Sequence, residues 1–116
     1  MVSRRLQDKL REGAQPFLEP GEQIQTVFAT QTGPITGHVG VIVVVTDRNV
    51  VLLESSFVGG AAHPTAVRAR LPHDPEQIGT LDKSVTRGKV MIGGERHRVV
   101  RGFFKEVTAG KAALAA

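Results

Sequence analysis

Cysteine is absent from this 116-residue chain, which removes disulfides, thiolate metal sites and cysteine nucleophiles together. That absence fits a reducing compartment. Tryptophan and tyrosine are absent too, and five phenylalanines are the whole aromatic complement. Few rings are left for stacking bases, which weighs against recognition of single-stranded nucleic acid. No apolar run approaches the roughly 20 residues that cross a bilayer as a helix; the longest, residues 39–45, falls far short. The polar N-terminus lacks the apolar core of a secretory leader. The expectation is a soluble, cytoplasmic, full-length protein of one domain, able to lie peripheral to a membrane.

Charge is present but unevenly spread. The net charge is +4, yet residues 1–66 hold five Lys/Arg against six Asp/Glu, while residues 67–116 hold ten against five. Such asymmetry suits an anionic partner, although a modest positive balance also serves solubility alone.

What the chain has in abundance is β-branched sequence. Val39-Gly40-Val41-Ile42-Val43-Val44-Val45-Thr46 and Val50-Val51-Leu52-Leu53 flank Asp47-Arg48-Asn49. Branching at Cβ restricts χ1 in a helix and suits a pleated surface, so the pair reads as a central antiparallel hairpin. Asn49 is the residue expected to take a left-handed turn conformation. Residues 23–32 alternate as a preceding strand, with Ile24, Thr26, Phe28 and Thr30 on one face. Phe28, Val43 and Val45 are core candidates. Residues 55–65, with Gly59-Gly60 and His63-Pro64, read as a loop of small residues. Residues 66–71 alternate as a short strand with Pro72 at its edge or end, and residues 78–81 read as another. Residues 89–92 and 95–99 form a hairpin across Gly93-Gly94.

Helices are expected at both ends. Residues 3–13 form a short amphipathic helix, with Ser3 as N-cap, Leu6 and Leu10 on one face, and Gly13 as its end. Val2 and Phe17 extend that stripe. So short a helix is marginal alone and must dock, either on its own sheet or on another chain. Near residue 100 the period changes. Val100, Phe103, Phe104, Val107, Lys111 and Leu114 recur at three and four, with Gly110 on the same side, which predicts a helix over 101–115. Phe103, Phe104 and Val107 are its core plug.

These elements, in this order, resemble the small bacterial pleckstrin-homology-like domains, akin to the YokE-like and GRAM-related groups. The residues that carry the likeness are Leu18-Glu19-Pro20-Gly21-Glu22, Val45-Thr46-Asp47-Arg48-Asn49-Val50, Arg70-Leu71-Pro72 with Ile78-Gly79, and Gly93-Gly94-Glu95 leading to Phe103, Glu106 and Val107. The resemblance covers about residues 15–115, with residues 1–14 as an added helix. It implies a mainly β fold: an antiparallel barrel or sandwich of about six or seven short strands, closed by a C-terminal helix. Lipid-binding members place Lys and Arg in the loop between the first two strands. Here that segment, residues 30–38, has neither, so phosphoinositide binding is not implied there.

With Gly93-Gly94 as a two-residue turn, Val90 and Ile92 point inward, and Lys89, Met91, Arg96 and Arg98 point outward. Lys89 then stands opposite Arg98, a like-charge pair that costs about 0.2–1 kcal/mol unless an anion settles between them. Arg87 and Arg101 are candidates to join it. A solvated face, or neutralisation by Asp74, Glu76 or Glu106, explains the same residues without a ligand. His38, His63, His73 and His97 stand in no metal-ligand spacing, and His73 with Asp74 and Glu76 is better read as surface loop. Ser55-Ser56 lacks the nucleophile elbow of hydrolases. No nucleophile, base and electrophile stabiliser assemble, so no catalytic, metal or cofactor site is expected. The leading expectation is a non-catalytic protein-interaction module, able to self-associate through Leu6 and Leu10. The alternative is a binder of anionic ligands, membrane headgroups or nucleic acid, through Arg87, Lys89, Arg96, Arg98 and Arg101.

Overall fold

Every residue from Val41 to Thr46 is buried. Side chains alternate across a strand, so unbroken burial means that both faces of this one are covered. The computed structural model describes residues 4–34, 39–58 and 61–116, with the backbone alone at 57–58 and 61–62. In it helix α1 (Arg4–Ala14) precedes β1 (Ile24–Thr32), β2 (Val39–Thr46), β3 (Asn49–Val58) and β4 (Ala61–Pro72). Then come β5 (Asp82–Lys83), β6 (Arg87–Ile92), β7 (Glu95–Val100) and helix α2 (Phe104–Ala115). The seven strands form one antiparallel sheet in the order β4-β3-β2-β1-β7-β6-β5. The molecule is mainly β, as the sequence predicts.

One face of the sheet is covered by α2. Phe28 opposes Val43 and Thr30 opposes Val41, so these side chains share a face, and Phe28, Val43 and Val45 are wholly buried. Helix α2 reaches that layer at Gly110, where an added Cβ would lie 3.1 Å from Thr26 Cγ2 and 3.2 Å from Val45 Cγ2. The other face of β1 carries Ala29, which shares a groove with Leu6 and Leu10 of α1. Thus α1 docks in cis, with Leu10 and Ala14 buried and Gly13 facing Pro64 of β4. The sheet curls until its far edge meets the β6–β7 hairpin. There Arg68 Nη2 donates to Glu95 Oε2 at 2.8 Å, and Leu71 fills the space beside Gly93.

Several expectations are corrected. Residues 55–58 and 61–65 are strand, not loop: Ser55 pairs with Pro64 and Ser56 with His63. Proline is tolerated there because β4 is the edge strand, and the β3–β4 register slips beside it, between Glu54 and Ser55. Residues 59–60, like His38, Ser3 and Val2, lie outside the described residues. Asn49 does not take positive φ. Its amide instead donates to Thr46 Oγ1 at 3.0 Å, which closes the turn while Asn49 already belongs to β3. Of residues 78–81, Ile78 alone makes a bridge, to Ile92, and the strand forms later, as β5. Gly13 does not end α1, which runs to Ala14. Residues 101–103 make a 3-10 turn before α2 begins. Within the C-terminal stripe, Val100 is 53% exposed because it closes β7 rather than starting the helix. Lys111 is exposed, and Phe104 is half-buried against the core.

The two short motifs around Glu22 and Thr46, far apart in sequence, fold into one buried network. Glu22 Oε1 accepts from the Glu19 amide at 3.0 Å, and Glu22 Oε2 accepts from Thr46 Oγ1 at 2.5 Å. Thr46 Oγ1 in turn accepts from the amide of Arg48 at 3.1 Å. Asp47 Oδ1 accepts from the Gln23 amide at 2.8 Å. The hairpin turn is thereby tied to the start of β1.

Candidate anion-binding face

The candidate face owes its register to Gly93-Gly94. Both take positive φ, 59° and 82°, which a two-residue hairpin turn demands and glycine adopts without steric cost. The turn sets Ile92 opposite Glu95, Met91 opposite Arg96, Val90 opposite His97 and Lys89 opposite Arg98. Burial alternates accordingly: Val90 and Ile92 are inside, while Arg87, Lys89 and Met91 are exposed. The like-charge pair predicted from sequence is present.

Strand β5 adds a third row, with Asp82 opposite Lys89 and Lys83 opposite Gly88. The three strands frame a depression of about 330 Å³ lined by Asp82, Lys83, Ser84, Arg87, Lys89 and Arg98. Arg87, Lys89 and Arg98 share that face with one carboxylate, Asp82, whereas Lys83, paired with Gly88, turns toward the Phe104 side of the sheet. No ion pair forms to Arg87, Lys89 or Arg98 among the described residues, so Asp74, Glu76 and Glu106 do not neutralise them. Asp74 is instead used as a cap, accepting from the Glu76 amide at 2.9 Å. Arg98 is half-buried, and its Nη1 donates to the Gly33 carbonyl at 2.9 Å. Lys83 Nζ lies 5.9 Å from the centroid of the Phe104 ring, within cation–π range.

Not all five predicted cations converge. Arg87, Lys89 and Arg98 do. Arg96 lies across from Met91 near the hairpin tip, and Arg101 opens the 3-10 turn with its amide donating to Thr86 O at 3.0 Å; neither lines the depression. Sequence reasoning missed Asp82, Lys83 and Ser84, because a two-residue strand has no periodicity to read. The polar run before Gly88 was the one available signal.

Beside the depression lies an apolar groove of about 300 Å³ between α1 and the sheet. Leu6, Leu10, Ala29, Val100 and Phe103 form its walls. Leu10 therefore belongs to the chain's own core at 3% exposure, whereas Leu6 is 37% exposed.

Among the described residues no three His, Asp or Glu side chains gather to hold a metal ion. His63 is exposed on β4, and His73 Nε2 lies 3.4 Å from Gln25 Oε1. His97 differs. It is wholly buried, its Nδ1 is 2.7 Å from Thr30 Oγ1, and its Nε2 is 3.4 Å from Glu95 Oε1 without making a hydrogen bond. Burial pushes the imidazole pKa below its ordinary 6.5, with the Glu95 charge opposing. The hydrogen bond from Arg68 holds the Glu95 carboxyl below its ordinary 4.5.

A pH dependence follows, with its sign. The unfolded chain takes up a proton at His97 more readily than the folded one, so stability rises with pH wherever the two differ. The contribution is present above pH 6.5 and is lost as pH falls from there through the lowered folded-state value. Glu95 adds a second loss below pH 4.5. Thermal unfolding between pH 7.5 and 5 checks this, and His97→Asn is expected to flatten the upper part of the profile. A midpoint constant across that interval would refute the assignment.

No protein-family model matches the chain, and no curated protein matches it. No described helix is long and apolar enough to cross a membrane.

Proposed function

We propose that the chain is a non-catalytic, pleckstrin-homology-like binding module whose working surface is the basic depression on β5–β7, and that its ligand is a phosphate-bearing anion. The carrying observation is that Arg87, Lys89 and Arg98 converge with Asp82 as the one carboxylate beside them and with no ion pair among the described residues, two of the three directly opposed. Like charges held together in a fold are stabilised by an anion between them, and guanidinium forks match phosphate oxygens. A lipid headgroup fits this face better than nucleic acid. Val85, 80% exposed, stands between Ser84 and Arg87, an apolar tip beside cations as at membrane interfaces, and no Trp or Tyr offers a stacking platform. Self-association through α1 has less support, since Leu10 and Ala14 are already spent on the chain's own sheet.

Binding to anionic vesicles and to an oligonucleotide, each at low and high salt, tests the proposal. Vesicle binding is expected to weaken with salt, because exposed charges are screened over about 10 Å at 0.1 M. Lys89→Glu is expected to weaken it by about tenfold or more, at roughly 1 kcal/mol per surface cation. Binding that ignores both salt and the substitution would remove the reading; a preference for the oligonucleotide would redirect it.

A further inference from the structure

We infer that the groove beside the basic depression receives the alkyl chain of a single-chain phosphate amphiphile whose headgroup sits on Arg87 and Arg98. The inference rests on the anion-binding reading above and names the ligand that would use it. Arg87 and Arg98 line both the apolar groove and the basic depression, so the two spaces adjoin across these side chains. A ligand that fills both must be anionic at one end and apolar at the other.

The walls support this division of labour. Val100 and Leu6 are two of the large hydrophobic side chains left exposed among the described residues, at 53% and 37%, and both face this groove. Exposed apolar surface gathered in a concavity and rimmed by polar groups marks a ligand site more than a solvent face. The groove volume of about 300 Å³ is at the lower end for small-molecule sites, which suits one chain and not two. Headgroup chemistry follows from charge. Arg87, Lys89 and Arg98 outnumber Asp82, the one carboxylate among the described residues that line the depression. A phosphate monoester, at about −1.5 to −2 near neutral pH, answers that excess better than a single carboxylate. The half-buried Arg98 guanidinium spends one donor on Gly33 and keeps others for phosphate oxygens.

Titration of the full chain with inorganic phosphate and with hexyl, octyl and decyl phosphate, kept below their micelle concentrations, tests the assignment. Affinity is expected to rise about fourfold per added methylene, the equivalent of about 0.8 kcal/mol each. Val100→Gln and Leu6→Gln, both at exposed positions, are expected to flatten that rise while leaving phosphate binding intact. Lys89→Glu is expected to weaken every member by a similar factor. If all four bind equally, the groove takes no chain and the inference fails while the anion reading stands. If the rise persists undiminished in both groove variants, the chain binds elsewhere and the inference fails too. If neither phosphate nor anionic vesicles bind, both readings fall.

Discussion

Replacing Phe103 by alanine is expected to cost about 3–5 kcal/mol of unfolding free energy, in the range for emptying a buried aromatic site. Phe103 is 5% exposed in the 3-10 turn that carries β7 into α2. It belongs to the same core as Val107 and Leu114 of that helix, so its loss leaves a void where α2 is anchored. For a chain of this length the thermal midpoint should fall by more than about 10 °C. Phe104→Ala should cost less, since that ring is half-buried. It still has a defined seat, because its Cε1 would lie 2.8 Å from a Cβ at Gly88. Denaturant unfolding reads both, as a shift in midpoint at constant slope. A Phe103→Ala protein that unfolds at the wild-type denaturant concentration would show that the terminal helix is held by something else.

The second large effect belongs to Thr46. Its hydroxyl is the link between the buried Glu22 carboxylate and the β2–β3 turn amides. Thr46→Val keeps the shape and strand preference but deletes that hydrogen bond. The Glu22 side chain, fully buried, then retains the Glu19 amide and Arg70, whose Nη1 is 3.7 Å away. Leaving a buried charged group short of a partner costs about 2–4 kcal/mol. Thr46→Ser restores the hydroxyl and should recover most of it, to within about 1 kcal/mol of the parent. Equal stability of the valine and serine variants would mean that the network is incidental.

How much of this was legible depends on whether the governing physics is local. The β6–β7 hairpin was readable residue by residue, because Gly93-Gly94 fixes the turn and a turn fixes the register. That register sufficed to put Lys89 against Arg98. It also put His97 beside Val90, hence inside, though nothing local says that Thr30 supplies its partner from a strand 67 residues away. Residues 55–58 and 61–65 read as loop because Gly, Pro and Ser signal loops by composition, whereas their pairing as the ends of β3 and β4 is decided by what lies next to them. Likewise Glu22 has the look of a surface residue in a Pro-Gly turn; only the arrival of Thr46 makes a carboxylate tolerable there. The site was half legible for the same reason. Arg87, Lys89 and Arg98 lie on a strand pair with a strong period, while Lys83 and the apolar groove depend on β5 and α1 being laid against it.

The slender join between the two halves of the sheet bears on how the protein is born. Among the described residues β1 pairs with β7 at two positions, Gln31 with Arg98 and Thr32 with His97, across more than sixty intervening residues. A ribosome delivers β1 to β4 first, and consecutive hairpins close quickly. Until β7 emerges, the flank of β1 that it will occupy has no neighbour, and an uncovered strand flank invites pairing with another nascent copy. Synthesis is therefore the stage at which this flank of the sheet stands open to another chain.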